Sequence, residues 1–247
     1  MSLKSIVAGA LSPKFKGRLD YLLRPEMRRP SWGGPFNGQK GRVGIFSSIV
    51  MKIKPSSVVE TGTFRGTTTH FMAESSKLPV YTVEYDARKF GFASQKLWGL
   101  RNAHLEQGDS RNFLRRMFGG GNLPPGPAFV YLDAHWFDDL PLADEIEIIF
   151  SSQTSAVVLV DDFKVPDDGG YTYDDYGPGK ALTVDYVEPL RVRFGLKLFF
   201  PSLPSDDETG RKRGCVVIAS DPDLVAHLRQ LATLREWSPN QGPPAAS

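Results

Sequence analysis

The chain has one cysteine, Cys215, which excludes an internal disulfide framework and any CxxC redox or zinc motif. It has no apolar run approaching the roughly 20 residues that a bilayer helix needs. The short run Ile6 to Leu11 is marginal as a signal-peptide core and is followed directly by Lys14, Lys16 and Arg18, so the default expectation is a cytoplasmic protein. Internal repeats are absent. The chain also lacks the dinucleotide fingerprint at the one place that suits it. Aligned on Gly62, GxGxxG requires glycine at 60 and 65, where the sequence has Glu60 and Arg65. A carboxylate at 60 repels a pyrophosphate and suits a ligand with an ammonium, a sulfonium and a ribose.

A length of 247 residues with 40% hydrophobic and 23% charged residues fits one soluble α/β domain with appendages. The net charge of +2 hides an asymmetry: residues 1–54 hold eleven Lys and Arg against Asp20 and Glu26, a net +9 that leaves −7 for the remainder. A basic arm on an acidic body meets an anionic substrate, an acidic partner or a membrane face, or else folds against its own domain.

Residues 1–40 have no clear periodicity, and Arg28 to Gly38 is rich in Pro and Gly and reads as loop, with Trp32 and Phe36 available to anchor it or to cover a pocket. Gly41 to Lys54 carries a helical apolar face and stops at Pro55. Strands and helices then alternate. Strands are predicted near 57–61, 80–84, 104–107, 128–133 and 156–160, and the near-continuous apolar runs of the last two fit a parallel sheet buried on both faces. Ser110 reads as the N-cap of the helix that follows the third strand. Residues 163–179, rich in Asp, Tyr and Gly, read as a lid loop in which Tyr171 and Tyr173 are available to a polar substrate. A helix near 181–194, strands at 196–200 and 215–219 and a closing helix over 221–237 complete the pattern. The expected domains are a basic arm 1–40, a domain 41–237 and a disordered tail 238–247.

In open α/β sheets, ligands bind beyond the carboxyl ends of the strands. Those ends carry Glu60, Glu84, Asp109, Asp133 and the pair Asp161-Asp162, so all five are acidic. Glu84, beside Tyr85, ends the second strand, where a carboxylate can accept both ribose hydroxyls, and Asp109 with Ser110 ends the third. Asp109 also suits a plain helix cap.

The stretch Glu60-Thr61-Gly62-Thr63-Phe64-Arg65-Gly66 resembles motif I of the class I S-adenosylmethionine-dependent methyltransferases. Tyr131-Leu132-Asp133-Ala134-His135-Trp136 and Val160-Asp161-Asp162 resemble the corresponding strand ends of metal-dependent O-methyltransferases of the catechol, macrocin and novobiocic acid types. The resemblance spans about residues 41–220. It implies a Rossmann-like, doubly wound, mostly parallel seven-stranded sheet with a C-terminal antiparallel strand hairpin. It implies cofactor contacts from Glu60, Gly62, Thr63, Phe64, Gly66, Glu84, Tyr85, Asp109, Ser110 and Asp133. It implies magnesium held by Asp133, Asp161 and Asp162. Hard carboxylate oxygens suit that ion, which lowers the pKa of a bound hydroxyl. The catechol type has a lysine three residues after the strand-4 aspartate, where this chain has Trp136. The sugar enzymes have an aspartate two residues after it, where this chain has His135. Asp133 and His135 are therefore the catalytic candidates, with His135 as general base or as a histidine bonded to backbone.

The expected function is transfer of a methyl group from S-adenosylmethionine, assisted by magnesium, to a hydroxyl of a small molecule such as a sugar or glycosylated natural product. Two alternatives stay open. One is an RNA methyltransferase or nucleic-acid-binding module using the basic arm. The other is a cofactor-binding protein of the same fold without turnover. The acidic body and the lack of an aromatic-interleaved basic sheet argue against duplex nucleic acid. No membrane span is expected, and a homo-oligomer is compatible with the chain.

Overall fold

Eight strands form one sheet in the order β3-β2-β1-β4-β5-β7-β6-β8. The computed structural model describes residues 11–134 and 139–239. The strands are β1 (Ser57–Thr61), β2 (Val80–Glu84), β3 (Ala103–Gln107), β4 (Ala128–Leu132), β5 (Ala156–Asp161), β6 (Lys197–Pro201), β7 (Cys215–Ala219) and β8 (Leu234–Glu236). Strands β1 to β5 pair in parallel, and β7, β6 and β8 complete the sheet antiparallel. This is the Rossmann-like arrangement with a C-terminal antiparallel pair, plus one strand. The eighth strand lies within the stretch expected to be a closing helix. That helix is shorter, Pro222–Leu228, and the chain then turns back so that Leu234–Glu236 covers the edge of β6.

The other helices are α1 (Pro13–Leu23), α2 (Lys40–Ile53), α3 (Thr67–Ser76), α4 (Ala87–Lys96), α5 (Ser110–Gly119), α6 (Leu142–Phe150) and α7 (Val184–Phe194), and Pro222–Leu228 is α8. Helix α1 stands where no periodicity was expected. Ser12 caps it through a hydrogen bond to the amide of Phe15, and Pro13 opens it. Among the described residues no helix is long and apolar enough to cross a membrane.

The two-residue period of the central strands sorts their side chains into two layers. Ala128, Val130 and Leu132 of β4 face one layer with Phe113, Leu114 and Ile146. Phe129 and Tyr131 face the other, with Phe36, Phe46 and Ile49. Along β5, Val157 and Leu159 belong to this second layer, and by the same alternation Asp161 points there too. The second layer is roofed partly by α2, whose buried face is Arg42, Ile45, Phe46 and Ile49. A cation and a carboxylate therefore meet inside an apolar layer.

Candidate active site

Strand β1 pairs with β2 on one side and β4 on the other, so the chain reverses its winding direction at β1. A crevice opens there beyond the carboxyl ends of the strands. The loop after β1 is pressed against the end of β4. A Cβ at Gly62 would lie 2.1 Å from the carbonyl oxygen of Asp133, and Gly62 has φ of 84°. Only glycine fits both conditions. Phe64 follows at φ 51°, and its amide donates to Glu84 Oε2 at 2.7 Å. The amide of Asp86 donates to Glu84 Oε1 at 2.8 Å. Both oxygens of Glu84 are thus fixed by backbone, and each keeps a lone pair for a further donor. Burial raises the Glu84 carboxyl above its ordinary value, against the pull of these amides.

Two cavities share Gly62, Glu84 and Lys89. One, of about 380 Å³, runs over the ends of β2 and β3 past Tyr85, Asp109 and Ser110. The other, of about 370 Å³, lies over the ends of β4 and β5, walled by Trp32, Asp133, Asp162, Asp174, Tyr176 and Arg213. Trp32 stacks on Phe64, with ring centroids 5.3 Å apart and planes 12° from parallel. The segment 31–38 therefore covers the crevice with Trp32, and Phe36 is anchored in the core, so its two aromatic residues take both expected roles.

The predicted residues divide by what they touch. Glu60 is buried and accepts from the hydroxyls of Thr69 and Thr82, the latter at 2.7 Å. Burial pushes its carboxyl up to about 7. Thr63 spends its hydroxyl on Thr82, at 2.5 Å, and so braces the loop. Gly66 sits at φ 72° as the N-cap of α3, packed against Leu97, and is not among the residues lining the two cavities. Asp109, not Ser110, is the N-cap of α5, accepting from the amide of Asn112 at 3.1 Å. Ser110 is the helix's first residue. The cap moves back by one because Asp109 is the residue with extended backbone (φ −76°, ψ 135°). Asp109 also pairs with Arg111 at 2.7 Å, which holds its carboxyl below the ordinary range. Tyr171 is buried, its hydroxyl donating to the carbonyl of Leu203, which removes it from the substrate contacts expected of the loop 163–179. Tyr176 and Asp174 stand in the wall instead. His135 lies outside the described residues.

The three aspartates expected to hold magnesium end adjacent strands, since β4 pairs with β5. Their surroundings do not fit a metal. Asp161 is wholly buried, and four donors take its oxygens: Arg42 Nη1, the Tyr131 hydroxyl, its neighbour's amide from Asp162 at 2.6 Å, and Asn37 Nδ2 at 3.3 Å. Burial raises its carboxyl, against the pull of Arg42. Asp162, at φ 55°, turns the other way and pairs with Arg213, which also binds Asp174. Of the three, Asp133 faces the cavity with no cation bound to it among the described residues. Burial, then the charges of Asp161, Asp162 and Glu60, push its carboxyl well above the ordinary value. Among the described residues no group of three or more His, Cys, Asp or Glu is arranged to hold a metal ion. The sequence reading missed Arg42, Arg213, Lys89 and Asn37. For Arg42 a signal existed: it lies three and four residues before Ile45 and Phe46, on the buried stripe of α2.

The fold is that of the class I S-adenosylmethionine-dependent methyltransferases. No protein-family model and no curated protein matches the chain. Among solved structures it is similar to an O-methyltransferase of Bacillus cereus in complex with S-adenosylhomocysteine, at 16% identity and TM-score 0.56, covering 88% of this chain and 96% of that one. It is similar to TomG of Streptomyces achromogenes, an O-methyltransferase of tomaymycin synthesis solved with S-adenosylmethionine, at 16% identity and TM-score 0.52, covering 87% and 94%. It is similar to CalS10 of Micromonospora echinaspora, an amino pentose methyltransferase, at 13% identity and TM-score 0.50, covering 81% and 96%. At these identities the likeness is one of fold.

Proposed function

We propose that the chain transfers a methyl group from S-adenosylmethionine to a hydroxyl of a small molecule. The observation that carries this reading is the pair of cavities meeting at Gly62 and Glu84, one beside the acidic ends of β2 and β3, the other beside Asp133. The donor set fits the cofactor. Glu84, its oxygens held by two backbone amides, accepts from ribose hydroxyls. Gly62 lets the loop approach closely, and Asp109 and Ser110 border the adenine end. Glu60, below the loop, is a partner for an ammonium group, whose positive charge would favour the ionised form of its carboxyl. The bound cofactor supplies an electrophilic methyl carbon.

The chain's own contribution is positioning and proton transfer. Trp32 and Phe64 wall the cavity beside Asp133 and narrow its access to water. Asp133, or His135 two residues on, takes the proton of the acceptor hydroxyl as its oxygen attacks in line. An acceptor with several hydroxyls, such as a sugar, suits a wall in which Asp133, Asp162, Asp174, Tyr176 and Arg213 offer both donors and acceptors. Magnesium has no step in this reading, because Asp161 and Asp162 already hold guanidinium groups.

Titration calorimetry with S-adenosylhomocysteine tests the cofactor half. The unaltered chain is expected to bind it, and Glu84→Ala to weaken binding by about 1–3 kcal/mol, the scale for losing charge-assisted hydrogen bonds. Absence of binding by the unaltered protein, with NAD binding in its place, refutes the reading.

A further inference from the structure

We propose that this centre works without a divalent cation: Arg42 and Arg213 stand toward Asp161 and Asp162 where a metal would stand, and Arg42 holds the end of β5 in position against the turn before β7. The inference deepens the methyltransfer reading and rests on it, but its central measurement does not need the cofactor.

The geometry runs from the sheet upward. Asp161 ends β5 on the face roofed by α2, and Arg42 is the polar residue on the buried stripe of that helix. The guanidinium is wholly buried. Its Nη1 donates to Asp161 and its Nη2 to the carbonyls of Arg213 and, at 3.0 Å, Gly214. One side chain thus ties α2, β5 and the turn before β7. Asp161 in turn accepts from Tyr131 of β4 and from Asn37 of the covering segment. A magnesium ion requires near-octahedral oxygen ligands with several waters kept. At Asp161 there is neither a free oxygen face nor access for those waters. Opening one would leave a buried guanidinium unpaired, which is strongly unfavourable. Arg213, on the same turn, does the corresponding work for Asp162 and Asp174 from the cavity side. Its backbone amide and carbonyl are held by Gln39, with the carbonyl accepting at 2.9 Å, so the guanidinium is presented from a fixed turn. Two fixed cations therefore balance carboxylates that a divalent ion would otherwise bridge, and the acceptor needs no chelating pair of oxygens.

The test titrates Mn2+, a spectroscopic stand-in for Mg2+, into the unaltered full chain and follows the free ion by electron paramagnetic resonance. No bound ion is expected up to about 1 mM, and Tm is expected to be the same in magnesium and in chelator. One Mn2+ per chain bound below about 100 µM overturns the proposal. Arg42→Met keeps most of the side-chain volume and is expected to lower Tm, with Arg42→Met/Asp161→Asn regaining most of the loss. A Tm unchanged in Arg42→Met overturns the positioning role. If neither variant folds, the titration of the unaltered chain still decides. A parallel titration with S-adenosylhomocysteine keeps failure of the cofactor reading distinct from failure of this one.

Discussion

Glu60 holds its proton to about pH 7 in the folded chain, while an exposed glutamate releases it near 4.5. Between those values the folded state binds more protons than the unfolded state, so stability falls as pH rises through that window. For a wholly buried group the full effect is on the order of 3 kcal/mol. Glu60→Gln removes the titration. The stability of the unaltered chain relative to this variant is therefore expected to fall from pH 5 to pH 7.5, as measured by urea unfolding at each pH; a constant difference would show that Glu60 titrates normally. At this scale the run of acidic residues at the carboxyl ends of the strands was legible in the sequence, but not which of them reach the crevice: Glu84, Asp109, Asp133 and Asp162 border the cavities, while Glu60 and Asp161 are buried beneath them. Their partners were not legible either. Arg42 meets Asp161 across 119 residues, and Arg213 meets Asp162 across 51. A cation on an apolar helix stripe gives no sign of which carboxylate it faces. Even the parity of β5 had to be known before Asp161 and Asp162, adjacent in sequence, could be assigned to opposite sides.

Helix α1 docks on α4 through two glycines. A Cβ at Gly17 would lie 1.9 Å from the carbonyl oxygen of Arg88, and one at Gly91 would lie 2.0 Å from that of Lys14. The backbones touch, and Arg88 closes the contact by donating to Asp20 at 2.6 Å. Neither backbone can yield, so Gly17→Ala must separate the helices. An overpacking cost of about 1–3 kcal/mol follows, borne by the docking of α1 rather than by the sheet. Limited trypsin digestion is expected to cut the variant faster between Arg18 and Arg29 while the main unfolding transition stays near its original temperature. Equal cleavage rates would mean that the contact carries no docking energy. Gly17 also helps explain why α1 was illegible: mid-helix glycine lowers helix propensity, and its compensation lies in a partner helix more than 60 residues away. The parallel core was legible because β1, β4 and β5 are buried on both faces and read as continuous apolar runs. Strand β8 was hidden because three residues are too few to establish a two-residue period against a neighbouring helical pattern.

Over the whole molecule, the basic N-terminal quarter and the acidic remainder meet in the fold. Among the described residues, several of the eleven Lys and Arg of residues 1–54 are turned to internal use. Arg24 pairs with Asp20 at 3.2 Å, Arg28 donates to the carbonyls of Tyr21 and Leu22 that end α1, and Arg42 is buried on Asp161. Exposed cations remain at Arg18, Arg29, Lys40, Lys52 and Lys54, but they lie on separate elements: α1, the turn after it, and the two ends of α2. A duplex binder needs its cations along one groove-tracking face, because affinity grows with the number of phosphates neutralised together, each adding about −0.9 to the slope of log K against log salt. Scattered cations on a body of opposite sign neutralise only a few phosphates at once. Fluorescence anisotropy with labelled duplex DNA and RNA is therefore expected to give only weak association at about 50 mM salt and none at about 200 mM, where even dedicated binders lose orders of magnitude. Binding that survives 200 mM salt would mean that the arm presents a continuous cationic face, and would move nucleic acid ahead of a small hydroxyl compound as the acceptor.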